Sequence, residues 1–412
     1  MVAYINKAYS IYQSFFENIY YNMRKFLFAL GLWGLTMMVA CNNNQNEATQ
    51  PTTNEGDAEI LAKTLNLPSE AYNYSNINLP THFLAANVQA TNNTPSTNPT
   101  TDLGATLGRV LFYDKNLSAN NTISCASCHL QSKSFTDPEA FSTGFEGGKT
   151  GRNSMSLANA LFYENGKFFW DERANTLEDQ TLMPIQDLVE MGMTLETLVP
   201  KLQALDYYQV LFRQTYGDET VTSERISQSL SQFVRAMFSY QSKYDAALNA
   251  HNGPVNGGTT LAGLTDEENQ GRQLFTSPNA GGCAGCHSTD LFVGIGAQNN
   301  GLDATTTDLG LAGVTNDTRD EGKFKAPSLR NVEVTGPYMH DGRFATLEEV
   351  VEHYNSGVQD HPALDNRLRV RGTNQVKRLN FTDAQKNALV AFLKTLTDNT
   401  FLTDDKFSDP FK

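Results

Sequence analysis

Apolar residues recur every three or four positions in several stretches of the chain, which is the period of an amphipathic helix rather than of a strand. Between residues 223 and 240, one predicted helical face carries Ile226, Leu230, Phe233, Val234, Met237 and Phe238. Alternating patterns typical of strands are scarce, and long loops rich in Gly, Asn and Thr separate the apolar stretches. The pattern predicts an all-α protein with few or no strands.

Three predicted helices are marked at their starts by capping boxes, in which two side chains three residues apart satisfy each other's backbone N–H groups. The boxes begin at Thr265, Thr346 and Thr382. The last of them precedes an apolar stripe that ends at Leu396. These signals place three helices in the C-terminal half of the chain.

Four landmarks occur twice and in the same order, which indicates two copies of one domain. The first copy contains Gly-Arg-Val-Leu-Phe from Gly108, CASCH from Cys125, Ser-Leu-Ala-Asn from Ser156 and Asp-Glu-Arg from Asp171. The second contains Gly-Arg-Gln-Leu-Phe from Gly271, CAGCH from Cys283, Ser-Leu-Arg-Asn from Ser328 and Asp-Gly-Arg from Asp341. We predict an N-terminal domain over 81–248, a linker over 249–262 and a C-terminal domain over 263–405.

Charge narrows the range of partners. The 412 residues include 45 Asp and Glu against 31 Lys and Arg, a formal charge of -14. Such a polyanion is a poor nucleic-acid binder, because phosphate contacts require a basic surface. Hydrophobic residues make up 40% of the chain, enough for two or three buried cores.

The N-terminus has the pattern of an export signal. From Met23, two basic residues precede an apolar run that ends at Ala40-Cys41, and this order resembles a bacterial lipobox. Cleavage of residues 1–40 would leave Cys41 as an acylated first residue, and an uncleaved membrane anchor is the alternative. Residues 41–80 are predicted to be a flexible tether. The sequence therefore predicts a periplasm-facing protein of the bacterial cell envelope, held to the membrane only by its N-terminal lipid.

Each C-x-x-C pair is followed at once by histidine, which is the attachment signature of c-type haem. Two thiols add to the vinyl groups of the porphyrin, and the adjacent imidazole reaches the iron. A redox-active thiol pair and a zinc site are the alternatives, but zinc would require all four cysteines together. We predict two covalent haems, held by Cys125, Cys128 and His129 and by Cys283, Cys286 and His287.

The ligand on the side of each iron opposite the histidine determines whether that haem transfers electrons or binds peroxide. No histidine lies in residues 130–250 beyond the first attachment motif, so the first haem is expected to have an open position. The second domain offers Met339, His340, His353 and Tyr354. His353 and Tyr354 are about 100° apart on a helix, so only one of them can face iron.

The chain resembles the bacterial di-haem cytochrome c peroxidases, a family that includes MauG-type enzymes. The resemblance covers about residues 80–400 and rests on both haem motifs, Gly-Arg-Asn-Ser at 151–154, Phe-Trp-Asp at 169–171, Glu190-Met191 and the run from Phe324 to Gly357. It implies two cytochrome c-like domains with a calcium ion between them. The peroxidatic haem would be the N-terminal one, and the electron-transfer haem the C-terminal one.

The resemblance also implies roles for single residues. Trp170 would bridge the haems, Glu190 would be the distal acid–base group, and Gln180 would lie nearby. The calcium ligands would be the Asn153 side chain and the carbonyl oxygens of Thr335 and Pro337. A core aromatic and an ordinary surface carboxylate are the alternatives for Trp170 and Glu190. Homodimers are common in the family.

Two departures from the family pattern affect the expected chemistry. Many members close the peroxidatic haem with a loop histidine, where this chain has Phe145. The peroxidases use methionine on the second haem, whereas the matching position here is Tyr354, as in MauG-type members. We therefore favour Tyr354 as the ligand, with Met339 or His353, or an open position, as alternatives. His340 is expected to order the haem edge or the domain interface.

Together these features predict an oxidoreductase that reduces hydrogen peroxide to water. A small exported cytochrome c or cupredoxin would supply electrons at the C-terminal haem, for use at the N-terminal haem. A MauG-like oxidase that uses peroxide to modify a protein or small molecule is the first alternative. A non-enzymatic electron carrier is the second, and the missing distal histidine in the first domain argues against it.

Overall fold

The computed structural model describes residues 55–294 and 296–412. The predicted signal region, the acylation site Cys41 and the first part of the predicted tether lie outside the described residues. In the described part of the chain, no helix combines the length and apolar character needed to cross a bilayer.

Helices dominate the fold, as the sequence pattern predicts. The α-helices are α1 (Glu55–Thr64), α2 (Ala86–Gln89), α3 (Asp102–Tyr113), α4 (Cys125–Cys128), α5 (Leu177–Gln186), α6 (Leu195–Gln203), α7 (Asp206–Tyr216), α8 (Ser223–Arg235), α9 (Lys243–Ala250), α10 (Asp266–Thr276), α11 (Ala312–Thr315), α12 (Leu347–Glu352) and α13 (Asp383–Lys394). The one sheet among the described residues pairs β1 (Ala297–Gln298) with β2 (Phe324–Lys325), antiparallel, with Ala297 opposite Lys325. The all-α prediction is confirmed.

The three predicted capping boxes form, and each opens the helix expected of it. Thr265, Thr346 and Thr382 accept the backbone N–H three residues on, at the starts of α10, α12 and α13. The apolar face predicted over 223–240 is buried in α8, but the helix ends at Arg235, and Met237 is buried just beyond it.

The repeated Gly-Arg-x-Leu-Phe motif produces the same helix crossing twice. A Cβ at Gly108 in α3 would overlap the carbonyl oxygen of Ser229 in α8. A Cβ at Gly271 in α10 would overlap the carbonyl oxygen of Ala388 in α13 in the same way. Because only glycine lets the backbones approach this closely, each motif fixes one α3–α8 or α10–α13 crossing.

One aromatic pair packs at each of these crossings, and the two pairs have nearly the same centroid distance and interplanar angle. The rings of Phe112 and Phe233 lie 5.4 Å apart at 64°, and those of Phe275 and Phe392 lie 5.5 Å apart at 58°. Their edge-to-face arrangement is the one that aromatic quadrupoles favour. The duplication inferred from the landmarks is therefore repeated in the packing.

Each repeat has its own hydrophobic core. The first core collects α3, α7 and α8 and also takes in Phe401 and Phe407 from the C-terminus. The second core includes Phe275 and Phe392, together with Tyr244 of α9, which precedes the predicted linker. Chain segments thus cross over between the halves. The predicted domain boundaries stay a prediction.

Ion pairs join the two halves, and the described residues belong to one compact unit. Arg330 is fully buried and reaches the Asp245 carboxylate at 2.6 Å, while His82 contacts the other oxygen at 2.7 Å. Arg152 of the first half pairs with Asp171 at 2.6 Å and with Asp308 of the second half at 2.8 Å.

Part of the segment predicted to be a flexible tether is ordered by packing. Residues 55–64 form α1, and Tyr74 is buried with its hydroxyl donating to the carbonyl oxygen of Lys406 at 2.5 Å. The polar composition of this segment suggested flexibility, but a few anchoring side chains are enough to fix it. The difference arises because those anchors contact residues distant in sequence.

Candidate functional site

The first CASCH motif forms a single helical turn at the edge of the first core. Ser124 caps α4, and the half-buried side chains of Cys125 and Cys128 lie at its two ends. Burial raises the pKa of the two thiols to about 12 and about 11, and the nearby Glu190 carboxylate contributes to both shifts. The two thiols and His129 are therefore held together on one short turn.

A backbone carbonyl orients the first imidazole. His129 Nδ1 donates to the carbonyl oxygen of Phe135 at 2.6 Å, so Nε2 keeps its lone pair. The Ser154 hydroxyl lies beside the ring, 3.2 and 3.3 Å from its two nitrogens. Burial lowers the pKa of His129 and keeps the ring neutral. A neutral imidazole with a fixed tautomer is the form that binds haem iron.

The second motif repeats this arrangement. A short 3-10 turn spans Cys283–Gly285, and His287 Nδ1 donates to the carbonyl oxygen of Phe292 at 3.3 Å. Burial lowers the pKa of His287 to about 4. Phe135 and Phe292 both have positive φ, 60° and 54°. The same backbone turn therefore presents the orienting carbonyl in both repeats.

A cavity of about 240 Å³ opens next to the second motif. Cys283, Cys286 and His287 line one side, and Met339 and Tyr354 also contribute to its wall. Most of the remaining lining is apolar. Two thiols and a neutral imidazole in an apolar cavity are the donor set that a covalent c-type haem requires, so the residues fit that group.

Asn300 connects the two side chains proposed as the second axial ligand. Its amide nitrogen lies 3.3 Å from the Tyr354 hydroxyl and 3.5 Å from the Met339 sulfur. His353 is turned away, because its Nε2 contacts the carbonyl oxygen of Asn300 at 3.1 Å and the residue does not line the cavity. Burial raises the pKa of Tyr354 to about 12. The choice between Tyr354 and Met339 stays open, whereas His353 does not face the cavity.

Glu190 lies in the first half, close to the CASCH turn. Its carboxyl group is half-buried, and desolvation is the main cause that raises its pKa to about 7, with Asp187 adding to the shift and Arg173 opposing it. The backbone of Phe145 donates to the carbonyl oxygen of Glu190 at 3.0 Å. A carboxyl group that titrates near neutral pH can both accept and donate a proton.

The other residue expected beside Glu190 comes from the preceding helix. Gln180 is half-buried in α5, which ends four residues before Glu190. Pro184, in the same helix, occupies the position that matches Tyr354 in the repeat, counted from Asp171 and Asp341. Proline has no side-chain group that can bind a metal. The first repeat therefore lacks the ligand that the second repeat offers at this place.

Trp170 lies between the two haem motifs. Its indole N–H donates to the carbonyl oxygen of Asn153 at 2.8 Å, and its ring lines the cavity of the second motif. The residue after Asn153 is Ser154, whose hydroxyl touches His129. One short path therefore runs from the first proximal imidazole to the second cavity. Trp170 is half-buried, and its role as a bridge between the haems stays a prediction.

His340 occupies the position in the second repeat that matches Trp170. Its ring stacks on Phe324 with centroids 3.7 Å apart, and its carbonyl oxygen accepts from the backbone N–H of Asn153 at 2.7 Å. This placement agrees with the expected role at the interface between the halves.

The residues expected to bind calcium lie near one another. Asn153, Thr335 and Pro337 all line the cavity described above. Asn153 uses its side-chain nitrogen on the carbonyl oxygens of Glu139 and Ala140, at 3.0 and 3.3 Å. Among the described residues, no three His, Cys, Asp or Glu side chains gather into a metal site. The calcium site stays a prediction, and the four cysteines do not assemble as zinc would require.

The contacts of three further residues of the site could not be predicted from the sequence. Asn300 lies in an Asn-rich loop with no motif, and its contacts appear only when that loop folds over Tyr354. Lys325 is buried in the cavity wall and donates its backbone N–H to the carbonyl oxygen of Trp170 at 2.7 Å. Ser154 was visible as part of Gly-Arg-Asn-Ser, but its contact with His129 was not. No local sequence signal marks any of these contacts.

Two repeats that each hold two thiols beside a similarly oriented imidazole are the arrangement of a di-haem, cytochrome c-like protein. The family model for di-haem cytochrome c peroxidases matches residues 103–253. The methylamine utilization protein MauG of Methylophilus methylotrophus is 30% identical over 302 residues, which cover 73% of this chain and 84% of that protein. The cytochrome c551 peroxidase of Nitrosomonas europaea is 32% identical and covers 71% of this chain and 79% of its own length.

A solved structure agrees with these relatives. The crystal structure of a MauG-like protein associated with microbial copper homeostasis superposes with a TM-score of 0.68 at 34% identity, covering 81% of this chain and 99% of that chain. The chain belongs to the di-haem cytochrome c peroxidase family. As a member it is an oxidoreductase with two c-type haems, and the predicted cytochrome c-like fold is confirmed.

Proposed function

We propose that this protein reduces hydrogen peroxide to water with electrons from a small exported redox protein. Peroxide is used at the N-terminal haem, and electrons enter at the C-terminal haem. The observation that carries this proposal is Glu190, whose half-buried carboxyl group lies close to Cys125 and Cys128 and has a pKa of about 7. Beside the second motif, the carboxylate that acts on Cys286 belongs to Asp365, which is paired with Arg367 at 2.7 Å and has a lowered pKa, unlike Glu190.

Cys125, Cys128 and His129 would hold the first haem, and Cys283, Cys286 and His287 the second. When bound, each haem supplies an iron that exchanges single electrons, and the first also takes up peroxide. Phe135 keeps His129 in the tautomer that leaves Nε2 free for the metal. Tyr354 or Met339 would fill the second iron's other side, with Asn300 positioning both.

Glu190 moves the protons of the reaction. In its ionised form the carboxylate accepts a proton from peroxide, and it then donates that proton to the leaving oxygen, so that water departs instead of hydroxide. Arg173 lies close enough to favour the ionised form, while burial opposes it. Phe145 packs on Gly192 beside this group, where a histidine would be needed to close the site.

The test is steady-state turnover of peroxide by the purified holoprotein with a reduced small cytochrome c or cupredoxin. We expect turnover without prior reduction of the second haem, because Phe145 cannot act as a closing ligand. Absence of turnover with either donor type, in a protein that carries two haems by its pyridine haemochrome spectrum, contradicts the proposal.

A MauG-like oxidase activity is the second candidate, and Tyr354 is the observation that favours it. Tyr354 lines the second cavity, and its hydroxyl lies 3.3 Å from the Asn300 amide nitrogen. Peroxidases of the family use methionine, and not tyrosine, as the ligand at this position. The two functions differ in their product. Peroxide consumption without oxidation of any added cytochrome, accompanied by modification of a protein or small molecule, indicates the oxidase. An electron carrier would consume no peroxide.

We further propose that the protein is exported and anchored through a lipid on Cys41, facing the periplasm. The support is the lipobox-like order of residues 23–41. Cys41→Ser should release the protein from the membrane fraction, and a variant that stays membrane-bound contradicts the lipid anchor.

A calcium ion at Asn153, Thr335 and Pro337 is proposed on the family resemblance and on their shared position at the cavity.

A further inference from the structure

The segment 366–378 is the most concentrated basic stretch in an acidic chain. It contains Arg367, Arg369, Arg371, Lys377 and Arg378 and no Asp or Glu, although the chain as a whole has a formal charge of -14. We call it the basic hairpin, because Arg369 and Val376 pair as antiparallel partners and Val370 N donates to the carbonyl oxygen of Gln375 at 2.8 Å. Its tip lies at Gly372, where φ is +78°.

The basic hairpin is fastened at one end to the second haem motif and at the other end to the segment just before that motif. Arg367 donates from Nη1 to the carbonyl oxygen of Gly285, which lies between Cys283 and Cys286. Lys377 donates from Nζ to the carbonyl oxygen of Ala280 at 3.1 Å. Both side chains also line the cavity of that motif. The hairpin therefore stands at the edge of the second haem site, and Gly285 beside it is exposed.

Most of the hairpin's charge is not neutralised. Arg367 pairs with Asp365 at 2.7 Å, and Arg369 pairs with Asp360 at 3.0 Å. Within the described part of the chain, no carboxylate comes within 4.0 Å of Arg371, Lys377 or Arg378. Arg371 and Arg378 are exposed, as is Val370 at 41% of its surface. An exposed apolar residue surrounded by unpaired cations is typical of a transient protein–protein interface, in which a polar rim surrounds an apolar centre.

We propose that the basic hairpin is the docking surface for the electron donor and that this donor is an acidic redox protein. The inference rests on the proposed entry of electrons at the C-terminal haem. Opposite charges steer diffusional encounter and orient a brief complex, while weak electron-transfer contacts bury little area. An acidic face seated on Arg371 and Arg378 would bring its own redox centre to the exposed turn between Cys283 and Cys286.

The test compares donors of opposite charge and does not require peroxide. The second-order rate constant for reduction of the ferric holoprotein is measured by stopped flow with a reduced acidic cytochrome c and with a reduced basic one. Binding of the oxidised acidic cytochrome is measured in parallel by calorimetry. For the unaltered protein, we expect the rate with the acidic donor to fall as ionic strength rises.

Charge reversal at the hairpin should change the two donors in opposite directions. Arg371→Glu is expected to lower the rate and the affinity with the acidic cytochrome by about tenfold at low salt and to raise the rate with the basic one. Lys115→Glu is the matched control, since Lys115 is exposed in the first half and the change in charge is identical. A folding defect would lower both rates and would be detected as such.

Three results would overturn the inference. The first is an equal effect of Arg371→Glu and Lys115→Glu, and the second is a rate with the acidic donor that does not depend on salt. The third is binding of the unaltered protein to anionic phosphatidylglycerol vesicles that Arg371→Glu abolishes without changing donor kinetics, which would assign the hairpin to a membrane. Failure of peroxide turnover would contradict the proposed function alone, because reduction and binding are measured without peroxide.

Discussion

Trp170 donates its indole N–H to the carbonyl oxygen of Asn153 at 2.8 Å, and this bond fixes the ring in the wall of the second cavity. Ser154, which follows Asn153 in the chain, contacts the His129 imidazole with its hydroxyl group. We therefore expect Trp170→Phe to abolish most donor-driven peroxide turnover, because phenylalanine neither makes this bond nor is as easily oxidised. Stopped-flow absorbance should show normal reduction of the second haem and slowed transfer to the first. Unchanged transfer would mean that electrons take another path.

Glu190→Gln should lower kcat/KM for peroxide by about a hundredfold or more, the usual contribution of a general acid–base group. The amide is close to isosteric, so both haem spectra should be retained. Glu196→Gln is the control, since Glu196 is an exposed carboxylate in the next helix. If the two variants have equal turnover, Glu190 has no role in proton transfer.

The pH dependence of the reaction should report on the same carboxyl group. Burial raises the pKa of Glu190 to about 7, and only the ionised form can accept the proton of peroxide. The value of kcat/KM for peroxide is therefore expected to rise as pH increases through about 7 and then to level off. In Glu190→Gln this rise should disappear from the profile. A rise that persists in the variant would have to come from a different group.

Tyr354→Phe and Met339→Leu distinguish the two candidate ligands of the second iron. Electron paramagnetic resonance of the ferric protein reports the spin state and ligand type of each haem. If tyrosinate is the ligand, Tyr354→Phe changes the signal of one haem and Met339→Leu leaves it in place. The reverse result would assign the methionine. Asn300→Ala should perturb the signal in either case, because the Asn300 amide contacts both side chains.

Gly271→Ala should destabilise the second half through its helix crossing. The added Cβ overlaps the carbonyl oxygen of Ala388, and overpacking of this kind costs about 1–3 kcal/mol of unfolding free energy. Gly56→Ala is the matched control, because Gly56 lies in helix α1 with open space around it, and alanine there is neutral or stabilising by up to about 1 kcal/mol. Chemical denaturation of the holoproteins measures both. Equal stability of the two variants would contradict the close crossing.

Asp245→Asn should be strongly destabilising, because it leaves the fully buried Arg330 without its counter-charge. Breaking a buried pair in this way costs about 3–5 kcal/mol. The Arg330 charge holds the pKa of Asp245 well below its usual range, against the opposing effect of burial. This depressed pKa stabilises the fold above the unfolded-state value of about 4 and is lost as pH falls below it. Acid denaturation curves of the variant should lack that component.

How far the sequence alone leads can be judged from particular residues. The two C-x-x-C-H motifs, the repeat and the capping boxes are local signals, and the structure contains the three helices that the capping boxes predict. In the sequence, Gly108 and Gly271 stand out only as matching positions of the repeated motif. Their role in helix packing could not be predicted, because the carbonyl oxygen that each one approaches belongs to a helix more than a hundred residues away.

The candidate site divides in the same way. Cys125, His129 and their counterparts were predictable, because covalent attachment fixes their spacing. The contact of Asn300 with Tyr354 and that of Ser154 with His129 were not, because each depends on a loop folding over a distant element. The ordered part of the predicted tether has the same cause, since Tyr74 is anchored by the carbonyl oxygen of Lys406.

Arg152 joins Asp171, the neighbour of Trp170, to Asp308 in the other half. These two ion pairs fasten the segment that carries Trp170 to the second half, so the fold itself holds the indole in place beside the second cavity. On the proposed function, an oxidising equivalent formed at the first haem would have its reductant held at a fixed place in the same chain, and reactive species would not need to persist long enough to damage the surrounding polypeptide.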